Sequence, residues 1–322
     1  VLGYFLKNMS EIANNESKLT PGLHRFAFAT SAATVLLLMA GALVTSNDAA
    51  DSVPDWPLAY GKIIPPLVGG IRYEYAHRVM AGTVAILTLV LVILLARSGS
   101  RLLRNLGLTA LILVIAQAVL GGMRVLFHNP ALTATIHAIL AQIFFVTVVS
   151  LTLFTSQSWN SDPAKLDDPA SPPLRTLSAI TAAAIFVQLI LGAGFRHGAF
   201  QILPHIIGAF VVLFLAIWTA RTVRVRFGTV KHLRRWGILL TSFIGTQFLL
   251  GIAAYWAVVQ EIKAQQPTTT YVILTVAHVL VGALTLAASV VLALSAFRAI
   301  HGNATVSAAT KVSGSRAEGS RA

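Results

Sequence analysis

The sequence predicts an all-α integral membrane protein of eight transmembrane helices, built as two four-helix bundles related by a parallel repeat. Three observations carry this: a composition that is 56% hydrophobic and only 11% charged, eight long apolar runs, and a short element recurring in successive helices. A soluble domain is about one quarter charged. A chain this poor in charge, with a mean hydropathy of +0.76, points to lipid as its solvent.

Crossing a hydrocarbon layer of about 30 Å takes roughly 20 residues of helix. Suitable runs lie at about 26–44, 76–96, 106–126, 132–154, 177–195, 205–220, 237–258 and 271–296; the fifth and sixth have the least sharply marked ends. They leave no room for a soluble catalytic domain, so any chemistry is expected within or at the edge of the bilayer. The polar segment 1–25 offers no apolar stretch ahead of a cleavage site. No removable signal peptide is expected, and the first helix serves as the targeting signal. Cysteine is absent, which excludes thiolate metal sites, iron–sulfur clusters and disulfides.

A net charge of +13 raises the question of nucleic acid. When the loops are assigned alternately to the two sides, 18 of the 24 Lys and Arg fall on the side of both termini. That asymmetry is the positive-inside pattern of a multi-pass protein, so both termini are expected in the cytoplasm and the protein in the cell (inner) membrane. No basic patch with interleaved aromatics marks a nucleic-acid surface.

The chain divides into a cytoplasmic segment 1–25, a first half 26–156, a linker 157–176 rich in Pro and Asp, a second half 177–297, and a Gly/Ser/Ala-rich tail 298–322 expected to be disordered. The halves repeat. Gln117–Gly121 in the third helix, Gln188–Gly192 in the fifth and Gln247–Gly251 in the seventh share the pattern Gln-x-x-Leu-Gly, and Leu37–Gly41 in the first is a weaker counterpart. Small residues and glutamine both serve helix packing in lipid. The element is therefore read first as packing and as a register mark. Aligning helices one to four with five to eight places His77 beside His205 and His137 beside His278. Because each half has an even number of helices, both have the same orientation, as in parallel repeats.

A histidine inside an apolar helix is costly and is a functional hypothesis by default. Four of the nine histidines lie there, as two pairs at matching depth: His77 with His137, and His205 with His278. Paired imidazoles across a four-helix bundle suit bis-histidine haem ligation, whereas zinc or di-metal sites call for further ligands. Glu74 breaks the symmetry. It precedes His77 by three residues, on the same helix face, and its repeat partner is Ile202. Glu74 is either a carboxylate that hydrogen-bonds its interfacial surroundings or one that acts beside a haem iron.

These residues resemble a known family. Glu74–Arg78 (Glu-Tyr-Ala-His-Arg), the loop Pro54-Asp55-Trp56-Pro57, Gly41–Thr45, and Gly121-Gly122 followed by His137 are similar to the haem A synthase family over residues 26–297. The resemblance implies oxidation of a methyl group of haem O to a formyl group, stepwise through a geminal diol, giving haem A for terminal oxidases. It implies His77 and His137 as ligands of the substrate haem, His205 and His278 as ligands of haem b, and Glu74 as the essential carboxylate. Haem O synthase and a terminal oxidase are the partners it suggests; the electron donor is left open. Arg78, Arg124 and Arg196 lie near the same face and either pair with haem propionates or snorkel. His128 and His197 at the same rim are read as interfacial anchors. Many bacterial relatives carry a cysteine pair where Val53 and Ala59 stand, so no thiol role is expected there. Arg124 stands where the family more often has a small or apolar residue. A non-enzymatic di-haem b electron carrier oxidising quinol fits the histidine pairs equally, but not the lone Glu74 or the Pro-Asp-Trp-Pro loop. A transporter or haem chaperone accounts for the repeat but not for two iron-clamping pairs.

Overall fold

The computed structural model describes residues 20–127, 131–160, 166–262 and 264–301. Among them run eight long helices: α1 (Pro21–Ser46), α2 (Ile71–Ala96), α3 (Arg101–Phe127), α4 (Ala131–Phe154), α5 (Leu174–Arg196), α6 (Ile202–Arg226), α7 (Lys231–Glu261) and α8 (Thr269–Ala299). A single helical turn, Gln157–Asn160, follows α4. All eight are long and apolar enough to span a membrane, and β-pairing among the described residues is limited to two isolated bridges. The protein is all-helical and multi-pass.

Most helices outrun the apolar stretch that announces them. The sixth, read from hydropathy as 205–220, continues to Arg226 and carries Arg221, Arg224 and Arg226 on its last turns. Helical hydrogen bonding does not stop where the side chains turn polar, and cations near a C-terminus favour the helix dipole. α1 begins at Pro21, within the segment read as an N-terminal extension. Thr20 accepts a hydrogen bond from the Leu23 N–H, and proline at the first position needs no partner.

Contacts close α1–α2–α3–α4 into one ring of helices and α5–α6–α7–α8 into another. The rings meet where α8 lies against α1 and α4, and where α4 touches α5. α8 is consequently the central element. Two thirds of its apolar window is buried (67%), whereas no other helix exceeds 33%. It gives Ala283 and Ala287 to the first core, and Leu286, Leu292 and Ala296 to the second. Alanines, Gly282, Thr285, Ser289 and Ser295 keep it narrow, as close approach between helices in lipid requires. Hydroxyls also pair across helices: Ser31 with Thr152 at 2.8 Å, Thr181 with Thr219 at 2.7 Å, and Ser46 with Thr275 at 2.8 Å. At about 0.6 kcal/mol each, such bonds add less than the packing of the two cores.

At the opposite end from the loop 47–70, the linker and the start of the tail are ordered together. Leu166 N–H donates to the Ala299 carbonyl (2.8 Å), and His301 N–H donates to the Leu166 carbonyl (2.9 Å). Asp168 accepts from Leu174 N–H at 2.6 Å, capping α5, and pairs with Arg226 at 3.4 Å. Residues 1–19 and 302–322 lie outside the described residues, and so does His128.

Candidate functional site

α1, α3, α5 and α7 end, and α2, α4, α6 and α8 begin, at the end of the bundle that carries the loop 47–70. All four predicted histidines lie there, and each packs against the glycine that closes the element on the preceding helix. A Cβ added at Gly41 would stand 3.1 Å from His77 Cε1, and at Gly121 3.7 Å from His137 Cε1. At Gly192 it would stand 2.7 Å from His205 Cε1, and at Gly251 3.1 Å from His278 Cε1. The glycines are thus flat places on which the imidazoles lie.

The glutamines four residues earlier fasten the same histidines. Gln117 Nε2 donates to the His137 carbonyl at 2.9 Å, and Gln188 Nε2 donates to the His205 carbonyl at 2.7 Å. Gln188 Nε2 is also 3.0 Å from His205 Nδ1, and Gln247 Nε2 is 3.3 Å from His278 Nε2. The element was legible in the sequence, but only as packing. What it packs against was not, because that needs the neighbouring helix.

His205 and His278, aligned in the sequence as one pair, lie close together. The planes of His205 and His278 are inclined at 83° with ring centroids 6.3 Å apart, a gap that one metal ion can bridge at usual metal–imidazole distances of about 2.0–2.1 Å. His77 Nδ1, His137 Nδ1 and His278 Nδ1 are buried without a hydrogen-bond partner. Such atoms cost about 1–3 kcal/mol each, and buried unpaired groups in a native protein call for an explanation, a bound group among them. No cluster of three or more His, Asp, Glu or Cys is found among the described residues. Two imidazoles per site, with spare buried nitrogens, is a donor set suited to the axial positions of a haem iron.

Glu74 is buried, and both its oxygens are engaged. Oε1 meets Arg78 Nη2 at 2.6 Å, and Oε2 accepts from the Val53 N–H at 2.9 Å. Arg78 Nη1 in turn donates to the carbonyls of Asp55 (2.8 Å) and Leu58 (2.9 Å). The Asp55 carboxylate accepts from Tyr60 N–H (2.6 Å) and Gly61 N–H (2.7 Å). Both residues are left-handed, with φ of 56° and 67°, so successive N–H groups converge on one anion. Those bonds, that of Gly61 foremost, hold the Asp55 carboxyl below its ordinary value of 3.8. The two motifs of the sequence are therefore one device: the Glu-x-x-His-Arg turn of α2 grips the Pro-Asp-Trp-Pro loop. Val53 and Ala59 are buried in that loop, filling with carbon the places read as cysteine positions. Trp56 lies on Gly122, where an added Cβ would stand 2.8 Å from the indole.

Of the three arginines, Arg78 is occupied by the loop and Glu74. Arg196 donates to the Ala42 carbonyl (3.1 Å) and to Ser46 Oγ (2.7 Å), tying α5 to α1. Among the described residues Arg124 is assigned neither a hydrogen bond nor an ion pair. His197, just past α5, is pushed down to about 4 by burial and by Arg196 and Arg124, so it is neutral at physiological pH.

Fold and site define a multi-pass helical membrane protein with two histidine pairs at one end, only one of them beside a buried carboxylate. Residues 71–201 match the model of the COX15-CtaA family, described as cytochrome oxidase assembly protein. The matched stretch contains Glu74, His77, Arg78, His137 and the Gln188–Gly192 element. The chain is also similar to proteins named heme A synthase. It is 30% identical over 146 residues to that of Halalkalibacterium halodurans, covering 44% of this chain and 49% of the relative. It is 29% identical over 182 residues to that of Shouchella clausii (55% and 60%), and equally over 182 residues to that of Symbiobacterium thermophilum (54% and 59%). The chain spans about half the length of the curated relatives it matches.

Proposed function

We infer that the protein is a haem A synthase, oxidising a methyl group of haem O to the formyl group of haem A. The observation that carries this reading is the asymmetry of two otherwise matching histidine pairs: Glu74 lies three residues before His77, and Ile202 lies before His205. His77 and His137 hold the substrate haem O; His205 and His278 hold a resident haem b, which supplies electron-transfer chemistry when bound. Imidazole ligands and the apolar side chains of the bundle around them would set the ligand field of a bound haem. Glu74, paired with Arg78 at 2.6 Å, places a carboxyl group three residues before His77 and is the residue positioned to take up or hand on a proton at its Oε atoms. Arg124, the arginine without an assigned partner, meets a propionate. The histidine end faces outward and both termini face the cytoplasm, as the loop charges favour.

The test is expression in a membrane host lacking its own enzyme but making haem O, with pigments extracted and separated by chromatography. Haem A in the extract is the expected result, together with haem b that is lost first in His205→Ala or His278→Ala. An extract with haem b alone would move the protein to the class of di-haem electron carriers.

A further inference from the structure

The four histidines are not held equally, and the difference follows the sequence. Each helix preceding a histidine carries glycine at the end of its five-residue element, but the residue four places earlier is glutamine in α3, α5 and α7 and Leu37 in α1. A buried polar atom without a partner occurs at each of the four places. Gln117 Oε1 and His137 Nδ1 are both without a partner, as are Gln247 Oε1 and His278 Nδ1, while Gln188 Oε1 is unpartnered beside a His205 Nδ1 that Gln188 Nε2 already reaches. Each glutamine nonetheless touches its histidine: Gln188 Nε2 lies 3.0 Å from His205 Nδ1, Gln247 Nε2 lies 3.3 Å from His278 Nε2, and Gln117 Nε2 donates to the His137 carbonyl at 2.9 Å. His77 Nδ1 is also buried without a partner, but at the matching place the preceding helix α1 offers only the aliphatic side chain of Leu37.

Outer partners that take the free N–H of a ligating histidine fix its orientation and raise its basicity. We propose that Gln117, Gln188 and Gln247 are positioning residues that lock His137, His205 and His278 for iron, and that Leu37 leaves His77 as the one releasable ligand. The consequence is that the first pair exchanges its haem while the second retains it. This rests on the reading of the pairs as haem sites. It gives that reading a physical basis for turnover, because a substrate haem must enter and its product leave through the same pair. The second pair, with glutamine on both of its histidines, has no such exit.

The experiment loads the full-length protein in detergent with haem b and follows transfer to excess apomyoglobin by the Soret band, alongside the reduction potential of each site. Wild type should lose haem in two phases, the fast one absent from His77→Ala. Leu37→Gln should slow the fast phase, and Gln188→Leu or Gln247→Leu should speed the slow phase. Each change should be about tenfold or more, the usual consequence of gaining or losing such a partner. The potential of the second site should shift only in the last two variants. A single rate for both haems, or a fast phase unmoved by Leu37→Gln in protein of native helicity, would overturn the proposal while leaving the synthase reading intact. Should Leu37→Gln fail to accumulate, the glutamine variants decide alone: unchanged slow phases and potentials in both overturn it. A preparation that binds no haem removes the underlying reading as well.

Discussion

Gly192 and His205 are in contact so close that a methyl group on the glycine would fall 2.7 Å from the imidazole Cε1. Real Cβ atoms do not approach that near, so either the ring or the helix must move. The same contact recurs at 3.1 Å for Gly41 with His77 and for Gly251 with His278, and relaxes to 3.7 Å for Gly121 with His137.

A graded outcome follows for alanine at the four glycines. Gly192→Ala should disturb its haem site most, Gly41→Ala and Gly251→Ala less, and Gly121→Ala hardly at all. Alanine is the better helix former by about 1 kcal/mol, so propensity opposes the expected loss and cannot explain it. Haem content of the purified variants, with reduced-minus-oxidised spectra, reads the series. An order unrelated to these distances would show that the contacts do not position the rings.

The eight helices were legible because a membrane span declares itself by length and hydropathy alone. Their true ends were not, since Arg101, Arg104 and Arg221–Arg226 are helical yet polar. The histidine positions were legible because charge and polarity are rare in such helices, so each exception is visible. Which groups touch was not: nothing local says that Gly192 faces His205, that Trp56 rests on Gly122, or that the Glu74 carboxylate caps Val53. Those contacts join segments up to 66 residues apart, as Trp56 and Gly122 do, and they depend on how helices and loop pack together. The central place of α8 was likewise hidden, although its run of Ala, Ser, Thr and Gly is the trace such burial leaves.

The pair Glu74–Arg78 should behave as a largely buried ion pair whose arginine also fastens a loop. Removing one member of such a pair costs about 3–5 kcal/mol, chiefly because the other charge is stranded. Arg78→Met should therefore lower thermal stability clearly. The double variant Glu74→Gln with Arg78→Met should recover part of that loss, since no charge is left unpaired. Thermal unfolding followed by dye binding measures the cycle. Strictly additive effects would mean that the two side chains do not act on each other.

Asp55 supplies the pH dependence of the loop. Its folded-state pKa is depressed, so its contribution is fully present above the ordinary value of 3.8 and is lost as pH falls through the lower folded value. Trp56 emission, taken as the difference from a Trp56→Phe variant, should stay constant from neutrality down to the ordinary carboxylate range and change only below it. Asp55→Asn should start with a loosened loop at neutral pH and show no such transition. A wild-type transition centred above the ordinary value would contradict the two N–H bonds to the carboxylate.

The sharpest test falls on Glu74, because the geometry gives it two separable tasks. Its Oε2 accepts the Val53 N–H at 2.9 Å, and its Oε1 meets the Arg78 guanidinium at 2.6 Å. Glutamine has nearly the same shape and retains an oxygen for Val53, so Glu74→Gln should preserve much of the loop and leave both histidines of the first pair in place. It cannot carry the negative charge or exchange a proton. Haem should remain bound at the first pair, while conversion of haem O falls by at least about tenfold, the lower range of what a positioned acid–base group contributes at roughly 10²–10⁴ after allowing for partial rescue by water. Ile202→Val, altering the matching place in the second half, should convert haem O normally. Both variants are scored by chromatography of extracted pigments, with haem content as the control for folding. Wild-type levels of haem A from Glu74→Gln would leave the residue with its loop-holding role alone and shift the search for the reacting group to Arg124 and His197 on the rim above the same pair.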